Sequence, residues 1–205
     1  MKRKPGEHHT RSDVPDRVEK AVVVDTNVPV VANVRSEQAS PDCVDACTSA
    51  LQDARNGGKV VMDDGLRILD EYMGHLSYSG QPGIGDAFFR WIWQNQVNPA
   101  VCERVTIHPR HGTEGDFEEF LQDPESQGFD RSDRKFVAVA LASTNRPTIL
   151  NAVDSDWWTY HKALERHGLK IEFLCREQMQ RWEQTKPPKE PNESGKSANA
   201  ERRRR

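Results

Sequence analysis

Four separate elements of this sequence each bring an acid with the chemistry and the placement expected of a metal site: Asp25, one of Asp63, Asp64, Asp70 and Glu71, Asp133 or Asp130, and Asp154 or Asp156. Carboxylates that converge repel one another, so they are tolerated together mainly when a divalent cation lies between them. Oxygen ligands of this kind suit Mg²⁺ or Mn²⁺. A bound ion of this class can activate water and neutralise a scissile phosphate. The four residues therefore predict hydrolysis of a phosphodiester.

Other polar residues lie beside these acids and are expected to support them. They are Thr26, Asn27, Asp130 and Asp156. Asp130 precedes Asp133 by three residues and could replace or assist it as a ligand. We assign Asp154 to the metal and Asp156 to a helix cap or a supporting contact, although the two acids could exchange these roles.

The elements that must position these residues are short β-branched runs that alternate with helical patterns. Strands are predicted at 21–25, 59–62, 105–107, 148–150 and 170–174. Helices are predicted at 41–56, 64–76, 84–96, 132–143, 156–167 and 176–182, with a short helix near 117–121. This alternation predicts an α/β fold, a three-layer α/β/α sandwich with a mainly parallel central sheet. Because parallel strands end at one edge of a sheet, most of the acids are expected to meet there.

Charge and hydropathy exclude several classes of protein. The chain of 205 residues has a formal net charge of −3, but both ends are basic, so its central part is more acidic than this total. An acidic body argues against a protein that coats duplex nucleic acid. The apolar runs are too short to span a bilayer, so no membrane partner is expected. We predict that all four cysteines are free thiols in a reducing cytoplasm.

The sequence divides into one folded domain and two charged tails. Residues 1–20 and 184–205 are rich in charge and proline, and the second segment ends in the run Arg202–Arg205. Such segments bury too little apolar area to offset chain entropy, so both are predicted to be disordered. The domain is assigned to residues 21–183, with a variable elaboration at about 80–128.

Taken in order, these motifs resemble the PIN-domain nucleases, a family of toxin-like and RNA-processing metal-dependent ribonucleases. The matching segments are Asp25-Thr26-Asn27, Glu71, Asp133-Arg134-Lys135 and Asp154-Ser155-Asp156, within residues 21–174. Glu71 is favoured over its neighbour Asp70 because it is in register with the family position. The resemblance implies that Asp25, Glu71, Asp133 and Asp154 hold one or two Mg²⁺ or Mn²⁺ ions, with Thr26 or Asn27 orienting Asp25.

The same resemblance implies an endoribonuclease with an RNA substrate and a toxin-like or defence role. It also allows a regulatory protein partner and a homodimer. Arg131, Arg134 and Lys135 flank the expected acidic pocket and could contact substrate phosphates, although a solvated helix face is an equal alternative. The aromatic residues at 88–93 and 157–160 could stack on bases, but packing in the core explains them better.

Two departures from the family pattern keep other functions open. Ala152 stands where the family usually has a Thr or Ser, two residues before Asp154. The stretch from residue 80 to 128 is also longer than compact toxins need. A catalytically silent binding or scaffold module is therefore one alternative, and a structure-specific DNA nuclease is another. A haloacid-dehalogenase-type phosphatase is disfavoured because Asn27 stands where that family has a second Asp.

Overall fold

The computed structural model describes residues 20–185. Within this range the strands are β1 (Ala21–Val24), β2 (Lys59–Asp63), β3 (Cys102–Val105), β4 (Thr148–Asn151) and β5 (Lys170–Phe173). The helices are α1 (Asn27–Ala32), α2 (Pro41–Arg55), α3 (Arg67–His75), α4 (Ile84–Asn95), α5 (Arg134–Ala142), α6 (Ser155–Glu165) and α7 (Arg176–Thr185). The predictions for the two tails lie outside the described residues, except at Lys20, which pairs with Glu172, and at 184–185, which belong to α7, so the prediction of disorder there is wrong.

The five described strands form one sheet in the order β3-β2-β1-β4-β5, and every neighbouring pair is parallel. Val22 of β1 is in register with Val60 of β2 on one side and with Thr148 of β4 on the other. A central parallel strand is covered on both faces, which explains why Val22, Val23 and Val24 are all apolar and buried. All five strands end at the same edge of the sheet.

Helices cover this sheet as two layers. Helices α1, α2 and α4 pack against one another, whereas α5 packs on β1, β2 and β4 and contacts α3. The buried face of α2 carries Cys43, Cys47, Leu51 and Ala54, one residue for each turn. The predicted three-layer α/β/α sandwich with a parallel central sheet is confirmed.

The short helix predicted near 117–121 is wrong. Phe117 instead forms an antiparallel bridge with Pro109, and a 3₁₀ turn follows at Pro124–Ser126. The buried guanidinium of Arg134 explains this course, because it donates to Asp116 Oδ1 at 2.9 Å and to the main-chain oxygens of 127 and 129. The segment is therefore folded around a side chain of α5 and has no helix of its own.

The prediction of four free thiols is also wrong. Cys43 and Cys175 form a disulfide with a Cα–Cα distance of 5.0 Å, whereas Cys47 and Cys102 are free and buried. The two bonded cysteines are 132 residues apart in sequence, so local spacing gave no signal of their pairing. Within residues 20–185, no helix is both long and apolar enough to cross a membrane.

Candidate active site

Asp25 is the first residue after β1 and lies at the carboxyl end of the central strand. Its main-chain N–H donates to the Leu150 oxygen at 3.0 Å, and the side chain is only 4% exposed. Oδ1 accepts from the main-chain N–H of Asn27 at 2.9 Å. Oδ2 is buried and has no hydrogen-bond partner among the described residues. Burial, reinforced by the nearby charges of Asp133, Asp154 and Glu71, raises the pKa of Asp25 well above its usual value.

Asp133 immediately precedes α5, so this helix carries it towards the end of β1. Its carboxylate makes no capping bond to the helix, and within residues 20–185 it accepts only a long bond of 3.4 Å from the Ser132 hydroxyl. Burial, followed by repulsion from Asp154, raises the pKa of Asp133 to about 7, while Lys135 opposes this rise. The carboxylate of Asp133 is therefore not used to cap α5, although the residue directly precedes this helix.

Glu71 approaches the same place from α3, which packs against α5. Its carboxylate forms an ion pair with Lys135, whose Nζ also donates to the Ser132 oxygen. Lys135 is 8% exposed, so its charge is held inside the structure. The alternative acid Asp70 is exposed on α3. We call Asp25, Glu71, Asp133 and Asp154 the acidic cluster, and Lys135 is a positive charge built into it.

Asp154 is the N-cap residue of α6, which begins one residue earlier than predicted. Its Oδ1 accepts from the main-chain N–H groups of Asp156 at 2.7 Å and Trp157 at 3.3 Å. The capping role expected of Asp156 therefore belongs to Asp154. Asp156 Oδ2 accepts instead from the main-chain N–H of Asp130 at 2.7 Å. Asp130 Oδ1 accepts from the Ser132 N–H at 2.9 Å, so these two acids shape the loop that leads to Asp133.

Asn27 and Thr26 lie directly after Asp25, and the expected orienting contact to Asp25 comes from Asn27, through its main-chain N–H. The side-chain oxygen of Asn27 accepts from the main-chain N–H of Ala152 at 2.8 Å and so joins the ends of β1 and β4. The backbone of Ala152 thus makes a contact at the position where a hydroxyl was expected. Thr26 Oγ1 is buried without a hydrogen-bond partner among the described residues.

The three basic residues predicted to contact phosphate differ in their surroundings. Arg134 is 4% exposed and is occupied by Asp116 and by main-chain oxygens. Lys135 is occupied by Glu71. Neither side chain is a free phosphate contact, because each is buried with partners of its own. Arg131 is exposed, and it forms no ion pair with any described residue.

Two polar residues near the strand ends were not identified from the sequence. The Tyr72 hydroxyl donates to the Val24 oxygen at 2.5 Å, and burial, with the nearby charge of Asp25, raises the pKa of Tyr72 well above its usual value. Asn151 is fully buried, and its side-chain amide has no partner among the described residues. In the sequence, Tyr72 has the spacing of an ordinary core residue of the predicted helix. Asn151 directly precedes Ala152 at the end of a predicted strand, and this position could have identified it as a residue of the site.

A groove of about 800 Å³ opens beside the acidic cluster. Glu71 and Lys135 line it, together with Arg67, Asp70, Arg131, Ser132 and most of the segment 109–117. Arg67 is paired with Asp63 at 3.4 Å and lies over the Phe117 ring. The exposed guanidinium of Arg131 is thus available to an anion that enters the groove.

The donor atoms of the acidic cluster are oxygens, which hard divalent cations prefer. The buried, unpaired Oδ2 of Asp25 and the oxygen donors around it fit Mg²⁺ or Mn²⁺. Among the described residues, however, three carboxylate oxygens of the cluster do not all lie within 4.8 Å of one another, as the sulfurs of three cysteines do. Magnesium keeps several waters and is often held by only one or two carboxylates, so this spacing is compatible with it.

Comparison of the chain with protein-family models, with curated proteins and with solved structures finds no match. The function is therefore inferred from the fold and from the acidic cluster.

Proposed function

We propose that this chain is a metal-dependent endoribonuclease that hydrolyses RNA phosphodiesters at the acidic cluster. The observation that carries the proposal is the carboxylate of Asp25. It is buried at the end of the central strand, one oxygen is unpaired, and three other acids raise its pKa. A carboxylate in that position is costly unless a cation balances it. The resemblance of the four motifs to PIN-domain nucleases points to the same chemistry.

Each acid has a distinct part in the proposed site. Asp25 and Asp133 would bind Mg²⁺ or Mn²⁺ directly, because Asp25 Oδ2 has no hydrogen-bond partner among the described residues and Asp133 has only a long one. Asp154 offers its second oxygen while Oδ1 caps α6. Glu71 would contribute less to the cation, because it is already paired with Lys135. When bound, the cation lowers the pKa of a water and neutralises charge on the scissile phosphate.

The groove next to the acidic cluster gives the substrate a path to it. Arg131 would contact a phosphate next to the scissile one, since it is the exposed basic residue on that side. The preference for RNA over DNA, the toxin-like role, the cytoplasmic setting, a regulatory protein partner and a homodimer come from the family resemblance and stay proposals.

A cleavage assay with the full chain tests this function. Single-stranded RNA, single-stranded DNA and flapped DNA would be incubated with the protein in Mg²⁺ or Mn²⁺. We expect RNA cleavage that EDTA abolishes, that D25N removes and that D45N retains, because Asp45 is exposed on α2 and does not line the groove. Preferred cleavage of flapped DNA would favour a structure-specific DNA nuclease. Absence of cleavage on every substrate would contradict the proposal.

A specific observation also favours a second candidate, a catalytically silent binding module. Lys135 already neutralises Glu71, and three carboxylate oxygens of the cluster are not drawn together within 4.8 Å. A silent module would bind RNA without cleaving it, and its melting temperature would not respond to Mn²⁺. Calorimetry with and without Mn²⁺ separates this candidate from the nuclease.

A further inference from the structure

A second set of chemically reactive side chains lies away from the acidic cluster. The sulfurs of Cys43, Cys47 and Cys175 all lie within 4.8 Å of one another, and the three residues are buried. Cys43 and Cys47 are on consecutive turns of α2, and Cys175 immediately precedes α7. We call these residues the cysteine cluster. A disulfide between Cys43 and Cys175 uses two of the sulfurs and leaves that of Cys47 unexplained.

Two helix N-termini point at this cluster. Cys43 is the third residue of α2, and its N–H donates to the capping hydroxyl of Ser40 at 3.3 Å. The Cys175 oxygen accepts the first turn bond of α7 from the Met179 N–H at 3.1 Å. Partial positive charge at a helix N-terminus stabilises a thiolate, which is the form of cysteine that binds metals. Both helix N-termini would therefore offset part of the negative charge of thiolate ligands at this cluster.

A cavity of about 260 Å³ opens onto the cluster from outside. Cys43 and Cys175 line it, together with the charged residues Asp42, Arg176, Glu177 and Arg181. Three thiolates around a divalent cation leave one net negative charge, and the two arginines at the cavity are matched by two carboxylates, so the cavity itself is neutral. The cavity also has room for a water, which would complete a tetrahedral set with three sulfurs.

We propose that the reduced chain binds one Zn²⁺ through the Sγ atoms of Cys43, Cys47 and Cys175, with a water from the cavity as the fourth ligand. Thiolate donors select Zn²⁺ over the hard cations that suit the acidic cluster. The proposal is independent of the nuclease function, because it uses other residues and another class of metal.

Reduction must come before metal binding. A small dithiol donates two electrons and two protons to the Cys43–Cys175 disulfide, which breaks the S–S bond and leaves the dithiol as a cyclic disulfide. Binding of Zn²⁺ then displaces one proton from each of the three thiols. Both states join α2 to α7, either by a covalent bond or through the metal, so the link between these helices is kept in reducing and oxidising surroundings.

Titration of the full chain with Co²⁺ tests the site, because thiolate ligation gives a sulfur-to-cobalt charge-transfer band that carboxylates cannot give. The protein would be reduced with a phosphine, which is removed before the metal is added. We expect one equivalent of Co²⁺ to produce the band and one equivalent of Zn²⁺ to displace it. The oxidised protein should give no band until it is reduced.

Three variants decide whether the site has the proposed ligands. C47S keeps the disulfide pair and should weaken Co²⁺ binding by at least about 10-fold. C102S removes a buried cysteine outside the cluster and should bind like the wild type. D25N should leave the band unchanged, because it alters only the acidic cluster. No band in the reduced wild type, or equal affinity in C47S, would overturn the proposal.

Discussion

Two buried aspartates of this protein have opposite surroundings. Asp25 is 4% exposed and Asp86 is 1% exposed. Asp86 accepts from Asn33 Nδ2 at 2.7 Å, from the Ser77 N–H at 2.8 Å and from the Gly83 N–H at 3.2 Å. It also pairs with Arg35 at 3.2 Å. Asp25 has one main-chain donor and is surrounded by other carboxylates.

The pKa values of these two residues respond to the difference. Burial raises the pKa of Asp25, and the neighbouring acids raise it further. Burial would also raise the pKa of Asp86, but hydrogen bonds from Ser77, Asn33 and Gly83 outweigh it and lower that pKa below 3.8. Burial alone therefore does not distinguish a site residue from a structural one. The partners distinguish them, because Asp86 is satisfied by the protein and Asp25 is not.

The largest expected effect is the loss of activity in D25N. Removing the central charge of the acidic cluster should lower RNA cleavage in Mn²⁺ by at least about 100-fold, the scale seen when one electrostatic group of an active site is removed. The melting temperature should stay the same or rise, because an unfavourable buried charge is gone. Initial rates and thermal melts of the same preparation check both parts. If D25N still cleaved RNA, the charge of Asp25 would not be needed for activity, and Asp25 would be a structural residue like Asp86.

The matched substitution at Asp86 should have the reverse pattern. D86N replaces a charged acceptor of several hydrogen bonds and leaves Arg35 unpaired. We expect the free energy of unfolding to fall by about 2 to 4 kcal/mol, as for a broken buried polar network. Activity per folded molecule should be unchanged. Urea unfolding followed by fluorescence measures the first effect, and a normal stability of D86N would contradict the structural role assigned to Asp86.

The sequence predicted the position of Asp25 better than it predicted the contacts of the other site residues. A buried run that ends in an acid fixes the place of Asp25, because strand polarity decides which edge it reaches. The Asp-Ser-Asp segment is different, since either acid can cap a helix that starts one residue earlier or later, and the structure chooses Asp154. No spacing showed that the segment 109–129 folds around Arg134. Long-range partners of this kind are set by packing, which no local pattern contains.

The opposite pKa shifts predict opposite dependences of stability on pH. Asp133 has a pKa of about 7 in the folded chain, against the ordinary value of 3.8 that applies to the unfolded chain. As pH rises, the unfolded chain therefore loses the proton of this carboxyl group before the folded chain does. Its contribution to stability is therefore lost as pH rises from 3.8 to about 7. The contribution of Asp86 is present above 3.8 and is lost as pH falls through its lowered folded pKa.

Thermal melts of the metal-free protein in EDTA check this prediction. D133N should show a weaker decline of melting temperature between pH 3.8 and about 7 than the wild type, because Asp25 keeps its own raised pKa. D86N should keep that decline and lose instead the fall in stability at acidic pH. Saturating Mn²⁺ should raise the wild-type melting temperature most at the upper end of the range, where the carboxylates are charged. Parallel pH profiles for wild type and D133N would contradict the assignment.

The smallest expected effect concerns the groove rather than the acids. R131A removes an exposed guanidinium that has no ion pair with any described residue, so stability should be unchanged. If Arg131 contacts one phosphate, KM for single-stranded RNA should rise a few-fold with kcat unchanged. The slope of log affinity against log salt should decrease in magnitude by about 0.7, the value for one phosphate contact on a single strand.

R134A is the contrasting variant, because the buried guanidinium of Arg134 pairs with Asp116. Its loss should unfold the segment 109–129 rather than alter the salt slope. An unchanged salt slope in R131A would show that RNA phosphates do not contact Arg131. RNA would then have to reach the acidic cluster by a route other than this groove.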